Sequence, residues 1–209
     1  MNTKSIEVVI VAAVRTPIGT YKGSLKNIKA DQLGSIVIKE AISRAKINNE
    51  EIDEVILGQV LTAGTGQNPA RQASINAGLS KLIPVNQVCG SGLRSVISAF
   101  QTIKLSEAKY IISGGQENMS IAPHALFYRN DKKLLEDKLI DTMIYDGLVD
   151  AFNNYHMGIT AENIAEKFKI SRKEQDDFAL KSQKKTQLAL EQNKFKDELV
   201  SVNLDGAFL

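Results

Sequence analysis

Every side chain from residue 8 to residue 14 is β-branched or alanine, with no polar alternation. Such an unbroken run reads as a parallel strand covered on both faces. Arg15-Thr16-Pro17-Ile18-Gly19 breaks it and opens a loop that also holds Gly23 and Lys26. From Asp31, small or apolar residues recur at Gly34, Ile38, Ala41, Ile42 and Ala45, with Lys39, Glu40, Ser43 and Arg44 on the other side. That is helical spacing, closed by Asn48-Asn49. Val55-Ile56-Leu57 predicts a second strand ending at Gly58. Asn68 as N-cap and Pro69 as first helical residue predict a helix to about Ala77, with Gly78 as its stop. Residues 84–88 predict a third strand leading into Cys89. The helix after it is expected to bury Leu93, Val96, Ile97, Phe100 and Ile103. Residues 110–115 predict a fourth strand. Strand and helix repeated in this way imply an α/β fold, a mostly parallel sheet with helices on both faces, over about residues 6–118.

The character changes at Asn118-Met119. The stretch to about His156 carries scattered charges (Arg129, Asp131, Lys132, Lys133, Glu136, Asp137, Lys138) and no clear strand. It reads as an irregular excursion with one or two short helices. Residues 160–168 look helical, and Ser171-Arg172-Lys173-Glu174 is a capping box opening a longer helix to about Gln192. Residues 198–204 could form a strand. The pattern divides the chain into residues 1–118 and residues 119–209, without internal repeats or low-complexity segments.

Composition narrows the class. The 209 residues are 43% hydrophobic, enough for a packed core without staples. The net charge of +2 and the lack of a basic run with aromatics argue against nucleic acid as partner. A single cysteine allows no internal disulfide, which suits a reducing compartment. The polar residues 1–7 do not read as a signal peptide, and no apolar stretch has the length of a membrane span. A soluble cytoplasmic protein is the expectation.

Candidate chemistry centres on Val85-Asn86-Gln87-Val88-Cys89-Gly90-Ser91-Gly92. Two readings of Cys89 stand at this point. It is a small buried hydrophobe, the usual role of a lone cysteine, or a nucleophile presented between a strand and a helix, where helix amides favour a thiolate. Gly64-x-Gly66 resembles a phosphate cradle, but no Gly-Lys-Ser/Thr follows, so a plain turn accounts for it. One Cys and two distant His, His124 and His156, give no metal-ligand spacing.

Several ordered motifs carry a family resemblance. They are Arg15-Thr16-Pro17-Ile18-Gly19, Gly66-Gln67-Asn68-Pro69-Ala70-Arg71-Gln72, Asn86-Gln87-Val88-Cys89-Gly90-Ser91-Gly92 and Gly114-Gly115-Gln116-Glu117-Asn118-Met119-Ser120. Ile140-Asp141-Thr142-Met143, Asp146-Gly147-Leu148 and Tyr155-His156-Met157-Gly158 with Thr160-Ala161-Glu162-Asn163 follow. Together they resemble the N-terminal half of the thiolases, the short-chain biosynthetic type above all, from about Ile6 to about Val202. Thiolases are longer. Their second half carries Gly-His-Pro, Asn-Glu-Ala-Phe and a second Cys-x-Gly, none of which occurs here. The resemblance therefore implies a thiolase-like layered fold, truncated before the C-terminal half. Residues 1–118 would be the nucleophile domain, lacking its last strand, and residues 119–209 part of the loop domain. The tail after Val202 does not resemble the family.

The resemblance also implies an activity, acetyl-CoA acetyl transfer. Cys89 would take the acetyl group, with its backbone N–H in an oxyanion hole. A second acetyl-CoA would then condense with it to acetoacetyl-CoA, or the reverse thiolysis would run. His156 and Met157 would line the acyl and pantetheine pocket; their plain alternatives are a backbone-bonded structural histidine and core packing. Ser91 would fix the turn after Cys89, and His124 has no matching role. The proton-handling His and second Cys of the family lie outside this chain. No cofactor or metal is implied, the coenzyme A thioester being substrate, and a homodimer or homotetramer is the expected assembly. An unpaired sheet edge would make the chain alone poorly soluble or self-associating. Three alternatives remain open here: a catalytically idle fragment with a coenzyme A-binding or assembly role, a ketosynthase-type condensing enzyme, and a nucleotide-binding module resting on Gly64 and Gly66.

Overall fold

A computed structural model describes residues 6–80, 83–126, 139–204 and 207–208. Its centre is a three-stranded parallel sheet in the order β2 (Ile83–Val85), β1 (Glu54–Gly58), β3 (Ile111–Gly115). β1 pairs with β3 along its whole length, from Glu54 opposite Ile111 to Gly58 opposite Gly115. Side chains of β1 alternate between the faces. Val55 and Leu57 enter a core with Ile38 and Ile42 of α1 (Ala30–Ala45) and Ala70 and Ala73 of α2 (Pro69–Asn76). Ile56, equally buried, points the other way, toward α3 (Ser91–Lys104), which packs on β1 and β3. The α/β class with helices on both faces is as the sequence implied. Asn68 caps α2 through its side chain, which accepts the Arg71 N–H, and Pro69 is the first helical residue, both as expected.

Several expectations are corrected. Residues 8–14 join no sheet among the described residues, and Ile10 is 79% exposed. β-Branched residues specify extended backbone, but a ladder also needs a partner edge. Here β2 and β3 each pair only with β1, and this segment takes up neither outer edge, ending in a parallel bridge from Arg15 to Leu199. The third strand stops at Val85, because residues 86–88 turn to deliver Cys89.

α3 reverses its expected face. Its buried residues are Ser91, Ser95 and Ala99, one small stripe at helical spacing. Leu93, Val96, Ile97 and Phe100 are exposed, Leu93 by 69%. The cause lies in the sheet. Gly58 and Gly115 carry no side chains on the face toward α3, so the helix approaches closely through its small residues. Ser95 Oγ donates to Gly92 O at 2.6 Å and to Gly114 O at 2.8 Å. The apolar stripe is left on the far side.

Among the described residues the excursion holds a short antiparallel pair that the pattern missed, β4 (His124–Ala125) with β5 (Ile140–Asp141), and two short helices, a 3-10 turn at Met119–Ile121 and α4 (Thr142–Gly147). The charged residues from Arg129 to Lys138 lie outside the described residues. α5 (Met157–Phe168) and α6 (Arg172–Glu191) form as expected, with Ser171 and Glu174 completing the capping box. Neither helix has a buried residue.

The expected strand at 198–204 forms only in part, as β6 (Asn203–Leu204) against β7 (Ala207–Phe208). Two arginines tie the segment before it to the first half. Arg15 pairs with Glu198 at 3.3 Å and stacks over the Phe195 ring, while Arg44 donates to the carbonyls of Asp197 and Leu199. Val202 is fully buried with Leu25 and Leu33. No described helix is long and apolar enough to cross a membrane.

Candidate active site

The site is built where the parallel strands end, the usual place for ligands in open α/β sheets. β2 finishes at Val85 and α3 starts at Ser91, leaving an elbow of five residues. Asn86 Oδ1 accepts the Val88 N–H at 3.0 Å. Val88 has φ +49°, a left-handed conformation that costs a β-branched residue roughly 1–3 kcal/mol. Ser91 holds the bend from the other side. Its Oγ accepts the Gln87 N–H at 2.8 Å and donates to Val88 O at 2.6 Å. Ser91 thus fixes the turn, as the sequence suggested. The outcome is that Cys89 stands exposed next to the first turn of a helix, which removes its reading as a buried hydrophobe.

Glycines seat that turn. A Cβ on Gly58 would lie 2.5 Å from the Ser91 carbonyl carbon and 2.7 Å from Gly92 N. Gly115 lies less close, its virtual Cβ 3.2 Å from Gly58 O and 3.5 Å from Gly92 Cα. Gly92 differs, since nothing lies within 4 Å of where its Cβ would be. Gly64 and Gly66 serve the turn between β1 and α2, both at positive φ, and Gln72 Nε2 donates to Thr65 O and Gln67 O across it. That is the plain turn, closed by its own side chain.

The structure does not join His156 and Met157 to the elbow by any hydrogen bond among the described residues. His156 is the exposed N-cap of α5, and its Nδ1 accepts the Gly158 N–H at 3.0 Å. Met157, the first residue of α5, is 46% exposed. His124 lies on β4, 3.9 Å from the Asp141 carboxylate. Among the described residues no three His, Cys, Asp or Glu side chains gather as metal ligands would.

Gln116-Glu117-Asn118 belongs to a motif whose task the sequence alone does not reveal. All three act on neighbouring loops. Gln116 Nε2 donates to Gln59 Oε1 at 2.7 Å. Glu117 accepts the Val60 N–H at 2.8 Å and the Leu61 N–H at 3.4 Å. Asn118 Nδ2 donates to the carbonyls of Leu25, Lys26 and Ile28. Burial holds the Glu117 carboxyl above its ordinary value, against these two backbone hydrogen bonds, which lower it. A polar run directly after a strand was the available signal.

The family model "Thiolase, N-terminal domain" matches residues 8–207. The chain belongs to the thiolase family. The match passes residue 202, so the tail thought to depart from the family is largely inside it. Acetyl-CoA acetyltransferase of Paracoccus denitrificans is 54% identical over 199 residues, 94% of this chain and 51% of that protein. The protein of the same name from Cupriavidus necator is 52% identical, over 94% and 51%. The cytosolic acetyl-CoA acetyltransferase of Rattus norvegicus is 47% identical over 209 residues, 99% of this chain and 53% of its own length. This thiolase chain thus spans about half the length of the curated relatives it matches. Family membership removes the ketosynthase and nucleotide-binding alternatives.

Proposed function

We propose that the chain is the nucleophile-bearing part of an acetyl-CoA acetyltransferase. One observation carries the reading: an exposed cysteine on a strained strand-to-helix elbow, in a chain about half identical to proteins of that name. Cys89 Sγ attacks the carbonyl carbon of acetyl-CoA. The new C–S bond forms as the bond to coenzyme A breaks, and the coenzyme leaves as its thiol with the nucleophile's proton. A second acetyl-CoA loses a methyl proton, and its carbanion attacks the acetylated cysteine. Acetoacetyl-CoA departs and Cys89 returns to the thiol, the methyl proton replacing the one that left with coenzyme A; thiolysis is the reverse. Amides about the elbow stabilise the oxyanion.

His156 and Met157 are assigned to the substrate pocket, and proton transfer to groups outside this chain. Each such group is worth about 10²- to 10⁴-fold in rate. Residues 1–118 are assigned to the nucleophile domain and residues 119–209 to a loop domain, in a homodimer or homotetramer. The outward stripe of Leu93, Val96, Ile97 and Phe100 is a surface that the remaining length of the relatives would cover.

Intact-mass analysis after incubation with acetyl-CoA tests the reading. One acetyl group mapping to Cys89, and lost in Cys89→Ala, is expected. A folded sample, supplied with the unmatched half of a relative, that gains none would overturn it. The uncovered stripe of α3 favours a second reading, an idle fragment; turnover of acetoacetyl-CoA by the pure chain would remove that one.

A further inference from the structure

We infer that Glu117 is a positioning residue for Cys89, acting through the Val60 peptide and Asn86. This rests on the reading of Cys89 as the nucleophile. The geometry is a relay of hydrogen bonds. The Glu117 carboxylate takes the Val60 N–H at 2.8 Å and the Leu61 N–H at 3.4 Å. The carbonyl of the same residue, Val60 O, accepts from Asn86 Nδ2 at 3.4 Å. The other end of the Asn86 amide, Oδ1, accepts the Val88 N–H at 3.0 Å. Val88 is the strained residue immediately before the nucleophile, at φ +49°. A second strut runs beside the first, since Gln59 N donates to Val85 O at 3.1 Å.

Two features make the carboxylate more than filler. It is half-buried, and no Lys, Arg or His pairs with it among the described residues. An unpaired carboxylate in that setting costs stability, so an apolar side chain would serve packing alone better. Its neighbours meanwhile do other work. Asn118 holds the carbonyls of Leu25, Lys26 and Ile28, away from the elbow, while Gln116 N bonds back to Gly58 O at 3.0 Å. Of the three polar residues after β3, only Glu117 grips residues 60–61, whose carbonyl side faces Asn86. The elbow needs such support. A left-handed valine relaxes toward ordinary backbone once Asn86 is free to turn, and the sulfur moves with it. A displacement of about 1 Å is enough to cost on the order of 10²-fold in a reaction that depends on alignment.

Hydrogen exchange and acetylation of the 209-residue chain separate this from a general packing role. Glu117→Ala is expected to speed amide exchange over residues 86–91 about fivefold, the change that follows from losing about 1 kcal/mol of hydrogen bonding. Glu117→Gln, whose carbonyl still accepts the Val60 N–H, is expected to restore most of the protection. Asn118→Ala is the control: exchange rises over residues 22–29 and stays at the wild-type rate over 86–91. Unchanged exchange at 86–91 in Glu117→Ala, or an equal rise in Asn118→Ala, would overturn the assignment. Should Glu117→Ala not fold, Asn86→Ala is made instead, its exposed side chain being trimmed without opening the core. It is expected to speed exchange at 86–91 by a similar factor and to make an added Glu117→Gln silent there; additive effects would overturn the relay. Wild-type acetylation is read in parallel. Wild type that takes no acetyl group even when supplied with the unmatched half of a relative, while Glu117→Ala still loosens 86–91, refutes the nucleophile reading and leaves the relay standing. Wild type that is acetylated as fast as Glu117→Ala, with exchange unchanged, refutes the relay alone.

Discussion

Gly58→Ala is the sharpest single perturbation of this site. Gly58 ends β1, and its virtual Cβ would lie 2.5 Å from Ser91 C, 2.6 Å from Ser91 Cβ and 2.7 Å from Gly92 N. These atoms belong to the first turn of α3, and no flexible side chain can move aside. Ordinary carbon contact is about 3.5–4.0 Å, so the turn must retreat by about 1 Å. Overpacking of this kind costs about 1–3 kcal/mol. Alanine returns about 0.5–1 kcal/mol of backbone entropy that glycine loses in a strand, leaving a net loss of roughly 1–2 kcal/mol. In a chain of this size that lowers Tm by about 2–8 °C. The same shift moves Cys89, so acetylation by acetyl-CoA should slow by up to about 10²-fold. Thermal denaturation followed by circular dichroism, with intact-mass kinetics, reads both. Gly114→Ala supplies the comparison, because its virtual Cβ meets only Leu57 Cδ2 at 4.0 Å. If Gly58→Ala is as stable and reactive as wild type, or if Gly114→Ala is the worse of the two, the close seating of α3 on β1 is not what fixes the elbow.

Three further outcomes are expected. Gly92→Ala, with open space around the new Cβ, should raise stability by about 0.5–1 kcal/mol through helix propensity, visible in the midpoint of denaturant unfolding; a loss would mean that the glycine is needed within this chain. The Glu117 carboxyl is held above 4.5 chiefly by burial, so the folded chain binds that proton more tightly than the unfolded one. Its stabilising effect is therefore full below 4.5 and lost as pH climbs through the raised value, and the advantage of wild type over Glu117→Gln in Tm should shrink over that window. The Glu174 carboxyl is held below 4.5 by the Ser171 N–H and hydroxyl, so its support for α6 is present above 4.5 and fades as pH falls through the lowered value; helicity that follows pH identically in Glu174→Gln would contradict this.

Local chemistry wrote much of this protein into its sequence. Asn68-Pro69 set the start of α2 and Ser171 with Glu174 the start of α6, because caps are satisfied by residues within a few positions of each other. The three paired strands were legible for the same reason, as short apolar runs closed by turns, whereas the exposure of Cys89 was not, since the sequence left a buried and a presented cysteine both open. Contacts across the chain were not legible. The run at 8–14 had the composition of a buried strand but finds no ladder in the described structure, since pairing depends on a neighbour and not on propensity. α3 turned its serines inward because Gly58 and Gly115 let it sit closer than leucine or phenylalanine would fit. Glu117 could be read in sequence only as part of a motif. Its grip on Val60, fifty-seven residues away, exists because β1 and β3 lie side by side. Sequence decided which residues could bend, cap or react; the packing of one strand on another decided which of them touch.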